Sequence, residues 1–278
     1  MKKLMTNKNL TRAFSIFIIF YLIIIVFPFI WVLITSFKPE NEIWGKSALK
    51  LIAENPTLDH YRALVNNNVL RGIRNSFIVA SLTTIYVTVI SIFAAYALAR
   101  LQFRGKNFIL TLVLAVSMFP QMIVVGPIYN MFNALGWTNS YNIIFPYSMI
   151  SLPVAIYILV THFKKIPYTL EESAKIDGAT PVQTLLKIVA PLALPGIFTS
   201  AIITFIGVWN EYVLSLTLNT DLSYHTAPVA ISFLRGQFEI FWGQVTAASV
   251  VVTIPTLIIV LLFQRQIISG LTSGALKE

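Results

Sequence analysis

The most constraining feature of this sequence is the length of its stretches without Asp, Glu, Lys or Arg. Five such stretches exceed 20 residues, and they cover 13–37, 75–99, 107–163, 188–210 and 240–264. A helix needs about 20 predominantly apolar residues to cross the hydrocarbon core of a bilayer. Every stretch meets that requirement, so the sequence predicts a chain that crosses a membrane several times.

The third stretch is too long for a single span. Its 57 residues would form a helix of roughly 85 Å at about 1.5 Å per residue, against a hydrocarbon core of about 30 Å. A polar cluster that contains a glycine interrupts it between Asn130 and Asn142, and such clusters mark loops. The sequence therefore predicts six spans, near 13–37, 75–99, 108–129, 142–163, 194–218 and 243–263.

Composition argues for membrane helices and against other classes. Charged residues make up 11% of the chain, compared with about 25% in soluble proteins. This excludes a soluble enzyme, a disordered chain and a nucleic-acid-binding protein. Membrane β-barrels are built from alternating segments of about ten residues, whereas runs such as 16–27 are continuously apolar. The predicted fold class is all-α, a polytopic membrane protein with six transmembrane helices.

The distribution of Lys and Arg predicts the orientation. Six spans divide the 20 Lys and Arg residues 13 to 7 between the two sides, and the richer side faces the cytoplasm. We therefore expect a cytoplasmic N-terminal segment 1–12, a six-helix domain 13–263 and a cytoplasmic tail 264–278. The loop 38–74 is predicted outside and the loop 164–193 inside. The first span exceeds a signal-peptide core of about 7–15 residues, so we interpret it as an uncleaved span.

The cytoplasmic loop contains signals for a first short helix. Thr169 precedes Glu172 by three residues, which is the spacing of a capping box. We expect this helix to cover Leu170–Asp177. Gly178 follows, and glycine readily adopts the left-handed conformation that ends a helix.

A second short helix is predicted immediately afterwards. Thr180 is a candidate N-cap, Pro181 suits the first helical position and Gln183 the third. We expect the helix to end near Ala190, before Pro191. About 25 residues are thus devoted to a capped helix–turn–helix, where a few would connect two spans. Physical chemistry leaves two interpretations open: an element that a partner presses on, or an amphipathic pair on the bilayer surface.

At these residues the chain resembles the EAA loop of ATP-binding-cassette (ABC) importer permeases. The run Glu172-Ser173-Ala174 is followed by Asp177-Gly178-Ala179, and then by Ile188, Pro191 and Pro195. Ser173 stands where the family pattern has Ala. Further strings resemble the carbohydrate branch, the maltose-type permeases: Ala94–Arg100, Phe103–Gly105, Trp209–Tyr212 and Gly270–Ala275. The resemblance covers nearly the whole chain.

The resemblance implies a type I ABC-importer permease in the inner membrane. A short helix of the loop would dock on a cytoplasmic ATPase, and two ATPase copies would drive a pair of permeases. The family pattern implies that the pair is a heterodimer. An extracytoplasmic solute-binding protein would deliver a di- or oligosaccharide such as maltose, maltodextrin or trehalose. The residues implied in ATPase coupling are Glu171, Glu172, Ser173, Ala174, Asp177, Gly178 and Ala179.

The chain lacks its own means of using ATP. It contains no phosphate-binding loop of the G-x-x-x-x-G-K-[ST] type, and Gly45-Lys46-Ser47 is a chance tripeptide. We expect no cofactor and no metal on this chain, with ATP and Mg²⁺ used by the partner ATPase. We also find no nucleophile–base pair or metal triad, so no catalytic residue is predicted. Ion-coupled carriers place ionisable residues within the membrane, and the predicted spans hold almost none beyond Glu211 and His162.

A substrate pathway can be predicted only coarsely. A sugar ring is apolar on its face and polar at its edge, so its site needs apolar surfaces and convergent hydrogen-bonding groups. Glu211 lies roughly 24 Å along the fifth span at about 1.5 Å per residue, near its outer end. The candidate residues are Gln121, Tyr129, Asn130, Tyr147, Trp209, Asn210 and Glu211. A permease for a non-sugar solute, an ion-coupled carrier and a membrane scaffold remain alternatives.

Overall fold

The computed structural model describes residues 8–235 and 240–272, and its long elements are helices. Within these ranges the only strand-type pairing is a single antiparallel bridge between Arg235 and Ile240. The first half of the chain contains seven helices: α1 (Lys8–Thr35), α2 (Glu40–Ile43), α3 (Asp59–Asn66), α4 (Val69–Arg100), α5 (Lys106–Ser117), α6 (Gln121–Ala134) and α7 (Ile144–Lys165).

The second half of the described chain begins with short helices and ends with a long one. These are α8 (Thr169–Ile176), α9 (Pro181–Thr184), α10 (Ala190–Leu192), α11 (Leu194–Trp209), α12 (Val213–Leu218), α13 (Ala227–Ser232) and α14 (Trp242–Thr272). A π-helical turn, Leu185–Val189, joins α9 to α10. The all-α prediction is confirmed for the described residues.

Within the described ranges, four helices are long and apolar enough to cross a bilayer. They are Leu10–Thr35, Val69–Arg100, Tyr141–Lys165 and Trp242–Gln266, and they correspond to the first, second, fourth and sixth predicted spans. Two further bent helix pairs bring the total to as many as six. The helices extend beyond the predicted spans. Charged residues such as Arg74 bound the charge-free stretches, but a helix can continue through them.

The predicted domain boundaries at the two ends fall inside helices for the same reason. Helix α1 begins at Lys8 rather than 13, and α14 continues beyond 263 to Thr272. The last three residues of the tail string Gly270–Ala275 lie outside the described residues, as do the first seven residues of the chain.

The third predicted span, near 108–129, is divided between two helices. Helices α5 and α6 meet at an angle of 92°, and the break falls at Met118–Pro120. Pro120 has no backbone N–H and adopts an extended conformation, φ −61° and ψ 120°. Proline also disfavours the helical conformation in the residue before it, so the helix cannot pass through this point.

The fifth predicted span, near 194–218, is also interrupted. Helix α11 ends at Trp209, and α12 starts again at Val213. At its other end α11 bends by 81° from the segment Pro181–Leu192. Just after this bend, a Cβ atom on Gly196 would collide with the imidazole ring of His162. Glycine here permits close approach of α11 to α7.

One compact unit contains residues 68–230 and 254–278, of which those up to Thr272 are described. Helices α4, α7 and α11 pack together in it, and a buried core cluster joins the ends of α4 and α7 to the segment after Gly178. Leu185 and Val189 are at most 1% exposed in this cluster. Burying such side chains contributes about 1.5–3 kcal/mol each, so this segment is fastened to the span ends.

The other unit contains residues 1–67 and 231–253. Buried charged side chains form hydrogen bonds that stabilise its loop after α1. Lys38 is 1% exposed, and its Nζ donates to the Ala48 carbonyl at 2.8 Å. The Glu42 carboxylate accepts from the backbone N–H groups of Glu54 and Asn55 at 2.9 and 3.0 Å. Glu40 accepts from two N–H groups at the start of α14. The predicted outer loop is therefore an ordered structure.

Candidate functional site

The first short helix of the loop 164–193 forms, but without the capping box predicted at Thr169. Its N-cap is Tyr168, which makes no side-chain capping bond. Tyr168 already has helical dihedrals, φ −67° and ψ −24°, whereas a capping residue needs an extended backbone. Thr169 therefore lies inside the first turn, and the predicted reciprocal bonding with Glu172 is wrong.

The helix ends at Gly178 as predicted. Gly178 has φ +79°, and its N–H donates to the Lys175 carbonyl at 3.1 Å. The N–H of Ala179 donates to the Ala174 carbonyl at 2.9 Å. These two bonds form a Schellman motif, which requires a left-handed residue at the position of Gly178. The turn between the two short helices thus has a defined geometry.

The second short segment has the predicted cap and a later end. Gln183 N donates to Thr180 Oγ1 at 3.3 Å, and Thr180 N donates to Gln183 Oε1 at 2.9 Å. The predicted stop before Pro191 is wrong, since α10 continues to Leu192. A π-turn precedes it, with Ala190 N bonded to the Leu185 carbonyl. This wider turn relieves the clash that a proline causes in a regular α-helix.

A buried ion pair fastens α8 to the end of α4. Arg100 Nε lies 2.5 Å from Glu171 Oε1, and the two side chains are 9% and 1% exposed. Tyr96, one turn earlier on α4, donates its hydroxyl to Glu171 Oε2 at 3.0 Å. An Arg100 Nη also donates to the Ile166 carbonyl at 2.7 Å. Both carboxylate oxygens of Glu171 are therefore engaged by α4.

Tyr168 extends this cluster toward the surface. The Arg100 guanidinium lies 5.9 Å from its ring centroid, and the Lys175 ammonium lies 5.0 Å from the same centroid. Lys175 also donates to the Tyr168 hydroxyl at 2.8 Å, and this hydrogen bond raises the pKa of Lys175. The contact of Arg100 with this ring therefore gives α8 a further connection to α4.

The residues implied in ATPase coupling lie on α8 and in the turn that follows it, and they differ in exposure. Glu171 and Ala174 are buried, whereas Glu172, Ser173, Asp177 and Gly178 are exposed and Ala179 is intermediate. Ile176 is 87% exposed, which is unusual for a large apolar side chain on an ordered helix. Ser173, the departure from the family pattern, donates its hydroxyl to the Thr169 carbonyl at 3.0 Å and so fits the helix. One face of α8 is anchored and the opposite face is free to contact a partner.

A second candidate site is a cavity of about 310 Å³ in the unit that contains α7 and α11. Most of its wall is apolar, and six polar side chains contribute to it. The lining residues are Gln121, Tyr147, Ile150, Ser151, Val154, Ala155, Ile158, Ser200, Ile203, Thr204, Gly207, Val208 and Glu211.

Glu211 lines this cavity and accepts hydrogen bonds from four groups. Its Oε1 accepts from Gln121 Nε2 at 2.8 Å and from Leu214 N at 2.9 Å. Its Oε2 accepts from the Tyr147 hydroxyl at 2.7 Å and from Ser215 N at 3.3 Å. The carboxylate thus caps α12 after the break at 210–212, where its charge also complements the helix dipole.

The other residues predicted for the substrate pathway lie elsewhere. Trp209 is 1% exposed and stacks on Phe205 at 5.7 Å between ring centroids. Asn210 donates back to the Ile206 carbonyl at 2.8 Å. Tyr129 and Asn130 are exposed on α6. None of these four lines the cavity, so the structure brings together Gln121, Tyr147 and Glu211 alone among the candidates.

Sequence reasoning missed the role of Arg100 and Tyr96. Both belong to the string Ala94–Arg100, and their separation of four residues places them on one helix face. A sequence signal for their partner was present in the paired acids Glu171 and Glu172, but nothing in it indicated which acid turns inward. Among the described residues no group of three or more His, Cys, Asp and Glu could hold a metal ion.

These helices define the fold of an ABC-importer transmembrane subunit. A chain of a bacterial ABC transporter involved in import of the acidic polysaccharide alginate superposes with a TM-score of 0.78 at 17% identity, over 94% of this chain and 97% of that one. A chain of the inward-facing MetNI methionine ABC transporter gives 0.57 at 17% identity, over 77% and 99%.

Sequence comparison identifies the family. The profile described as "binding-protein-dependent transport system inner membrane component" matches residues 87–273, and this chain belongs to that family. The trehalose/maltose transport system permease MalG of Thermococcus litoralis is 42% identical over 92% of each chain. The trehalose transport system permease SugB of Mycobacterium tuberculosis is 41% identical, over 90% of this chain and 92% of that one. The chain is therefore a multi-pass inner-membrane transport component.

Proposed function

We propose that this chain is the permease subunit of an ATP-driven carbohydrate importer and forms half of its translocation pathway. The names of similar proteins support the substrate class, since two of the chains compared above are permeases for trehalose or maltose. A di- or oligosaccharide of this kind is the expected substrate. The chain itself is not an enzyme in this proposal, because ATP hydrolysis takes place on a partner.

The observation that carries the proposal is that α8 has one buried, anchored face and one exposed face. Its inner face is held by the buried Arg100–Glu171 pair, and its outer face presents Glu172 and the exposed Ile176. An element that must transmit force needs a rigid attachment on one side and an accessible contact on the other. We propose that the outer face docks on a cytoplasmic ATPase and that the inner face moves the end of α4.

The assembly would contain this permease, a second permease, two ATPase copies and an extracytoplasmic solute-binding protein. Helix α1 supports a role in assembly or lipid contact, because none of its most apolar window is buried in this chain. We place both termini and the loop 164–193 in the cytoplasm on the distribution of Lys and Arg. The ordered loop 38–74 then lies outside, where the binding protein docks.

Isolation of the chain in mild detergent with its natural partners tests this proposal. We expect an ATPase and a second permease to co-purify, and we expect a sugar-loaded binding protein to stimulate ATP hydrolysis by the assembly. Stimulation by amino acids or peptides instead would indicate a permease for another solute. Absence of any ATPase partner, with solute uptake driven by an ion gradient, would identify a secondary carrier and contradict the proposal.

A further inference from the structure

Polar side chains from two helices and from the segment after α11 line the cavity of about 310 Å³. Ser200 and Thr204 lie one turn apart on one face of α11, and Glu211 lines the cavity just beyond the end of that helix. Tyr147 and Ser151, one turn apart on α7, face the same space. The cavity wall therefore carries hydroxyl groups from two helices.

One of these hydroxyl groups is buried without a partner. Ser200 is 1% exposed, and its Oγ has no hydrogen-bond partner among the described residues. A buried polar group without a partner costs about 1–3 kcal/mol, so such groups call for an explanation. A ligand hydroxyl in the cavity would supply the missing bond.

The charge of the cavity restricts the ligand further. Among the described residues, Glu211 is the only charged one in the lining, and no Lys or Arg belongs to it. Both oxygens of its carboxylate act as hydrogen-bond acceptors. An acidic ligand would meet this negative charge without a compensating cation in surroundings of low dielectric. A neutral ligand would meet no such penalty.

We propose that this cavity is a carbohydrate subsite of this subunit that accepts neutral sugars and rejects acidic ones. The inference rests on the proposed function for the substrate class and adds the site and its charge selectivity. Ile150, Val154 and Ile203 supply apolar surface for the faces of a sugar ring, and Ser151, Ser200 and Tyr147 supply hydrogen bonds at its edge. The volume lies at the lower end of the range of about 300–1,000 Å³ for ligand pockets, which suits one or two sugar rings.

The test measures direct binding of disaccharides to the assembly in the absence of its solute-binding protein. The specificity of that protein then does not affect the result. The probes are radiolabelled maltose and trehalose, and a disaccharide of two uronic acids as the acidic counterpart. We expect saturable binding of a neutral disaccharide and none of the acidic one. Ser200→Ala should weaken neutral binding about two- to tenfold, the value of one hydrogen bond. Ser151→Leu should weaken it at least about tenfold, because the side chain fills the cavity.

Two matched controls separate the cavity from general damage. Ser148→Ala removes a buried hydroxyl on α7 outside the cavity, and Thr161→Leu enlarges a side chain on the same helix outside it. Both should bind as the wild type does. Glu211→Gln and, independently, Ser151→Lys should each admit the acidic disaccharide. The lysine variant leaves Glu211 and its four partners unchanged, so it tests charge selectivity even if Glu211→Gln fails to fold.

The outcomes distinguish the subsite from the proposed function. Wild-type affinity in both Ser200→Ala and Ser151→Leu would overturn the subsite, as would equal binding of neutral and acidic disaccharides by the wild type. No neutral binding at all would overturn it too, while ATP hydrolysis stimulated by a sugar-loaded binding protein would leave the proposed function intact. Loss of that stimulation in the wild-type assembly would instead overturn the proposed function.

Discussion

Arg100 and Glu171 form a buried ion pair that joins the last residue of a long span to a short helix 71 positions later in the chain, with 2.5 Å between Nε and Oε1. Tyr96 donates to the second oxygen of the same carboxylate. The pair is nearly inaccessible to solvent, so salt screens it little. It gives a partner pressing on α8 a direct mechanical connection to α4.

Removing one member of this pair should be more damaging than removing both. Arg100→Met or Glu171→Met leaves an uncompensated buried charge, which costs about 3–5 kcal/mol, whereas replacing both by apolar residues is often close to neutral. Thermal unfolding of the purified chain measures this difference. Single variants as stable as the wild type would show that the ion pair does not hold α8 in place.

The double variant Arg100→Met with Glu171→Met tests whether the ion pair transmits force as well as stabilising the fold. We expect it to fold but to hydrolyse more ATP per sugar imported, because apolar contact lacks the directional bonds that fix α8 to α4. The ratio of ATP hydrolysed to sugar imported in proteoliposomes measures this. A stable double variant with the wild-type ratio would contradict a transmitting role for the pair.

Gly178 should be required for its backbone conformation. A Cβ there would have open space around it, but its φ of +79° disfavours any residue with a side chain. Gly178→Ala should cost about 1–2 kcal/mol locally and weaken coupling through a distorted turn. Gly45→Ala, at φ +75° and also in open space, introduces the same strain in the other loop. Equal transport by the two variants would contradict a special role for the turn at Gly178.

Much of the architecture could be predicted from sequence because membrane spans and caps have local causes. Long apolar stretches predict spans, and the Thr180 capping box and the turn at Gly178 follow from residue types a few positions apart. The failure at Thr169 has a local cause as well: Pro167 and Tyr168 start the helix one residue early, which moves Thr169 out of the capping position.

The parts that could not be predicted depend on contacts distant in sequence. Whether Glu171 or Glu172 turns toward the spans is decided by Arg100, far away in the chain. The cavity likewise requires Gln121, Tyr147 and Glu211 from three elements, and the 92° bend at Pro120 helps to define where α6 begins. No periodicity within one segment contains that information.

The exposed apolar side chain of Ile176 should carry ATPase binding. It is 87% exposed, so Ile176→Asp should leave stability within about 0.5 kcal/mol of the wild type and weaken ATPase association by about 1 kcal/mol or more, as for an interface anchor. Ile52→Asp, at 83% exposure in the other loop, is the matched control and should not affect association. Co-purification of ATPase with each variant gives the comparison; normal recovery with Ile176→Asp would exclude this contact.

Glu42 predicts acid sensitivity of the unit that contains the loop 38–67. Burial opposes its ionisation, but hydrogen bonds from Glu54 and Asn55 outweigh that effect and lower the pKa of Glu42. A lowered pKa stabilises the fold above the ordinary pKa of a glutamate, and this stabilisation is lost as pH falls through the lowered value. Glu42→Gln should therefore lower Tm near neutral pH and have little effect in acid. A Tm difference that is independent of pH would contradict this.

Sugar uptake by proteoliposomes, with and without the ATPase subunits, tests the central claim most directly. The account predicts accumulation only when both permeases, the ATPases, ATP and the sugar-loaded binding protein are present, and it predicts loss of accumulation with Ile176→Asp but not with Ile52→Asp. Accumulation by this chain in the absence of any ATPase, under an ion gradient alone, would contradict the claim that work enters through α8.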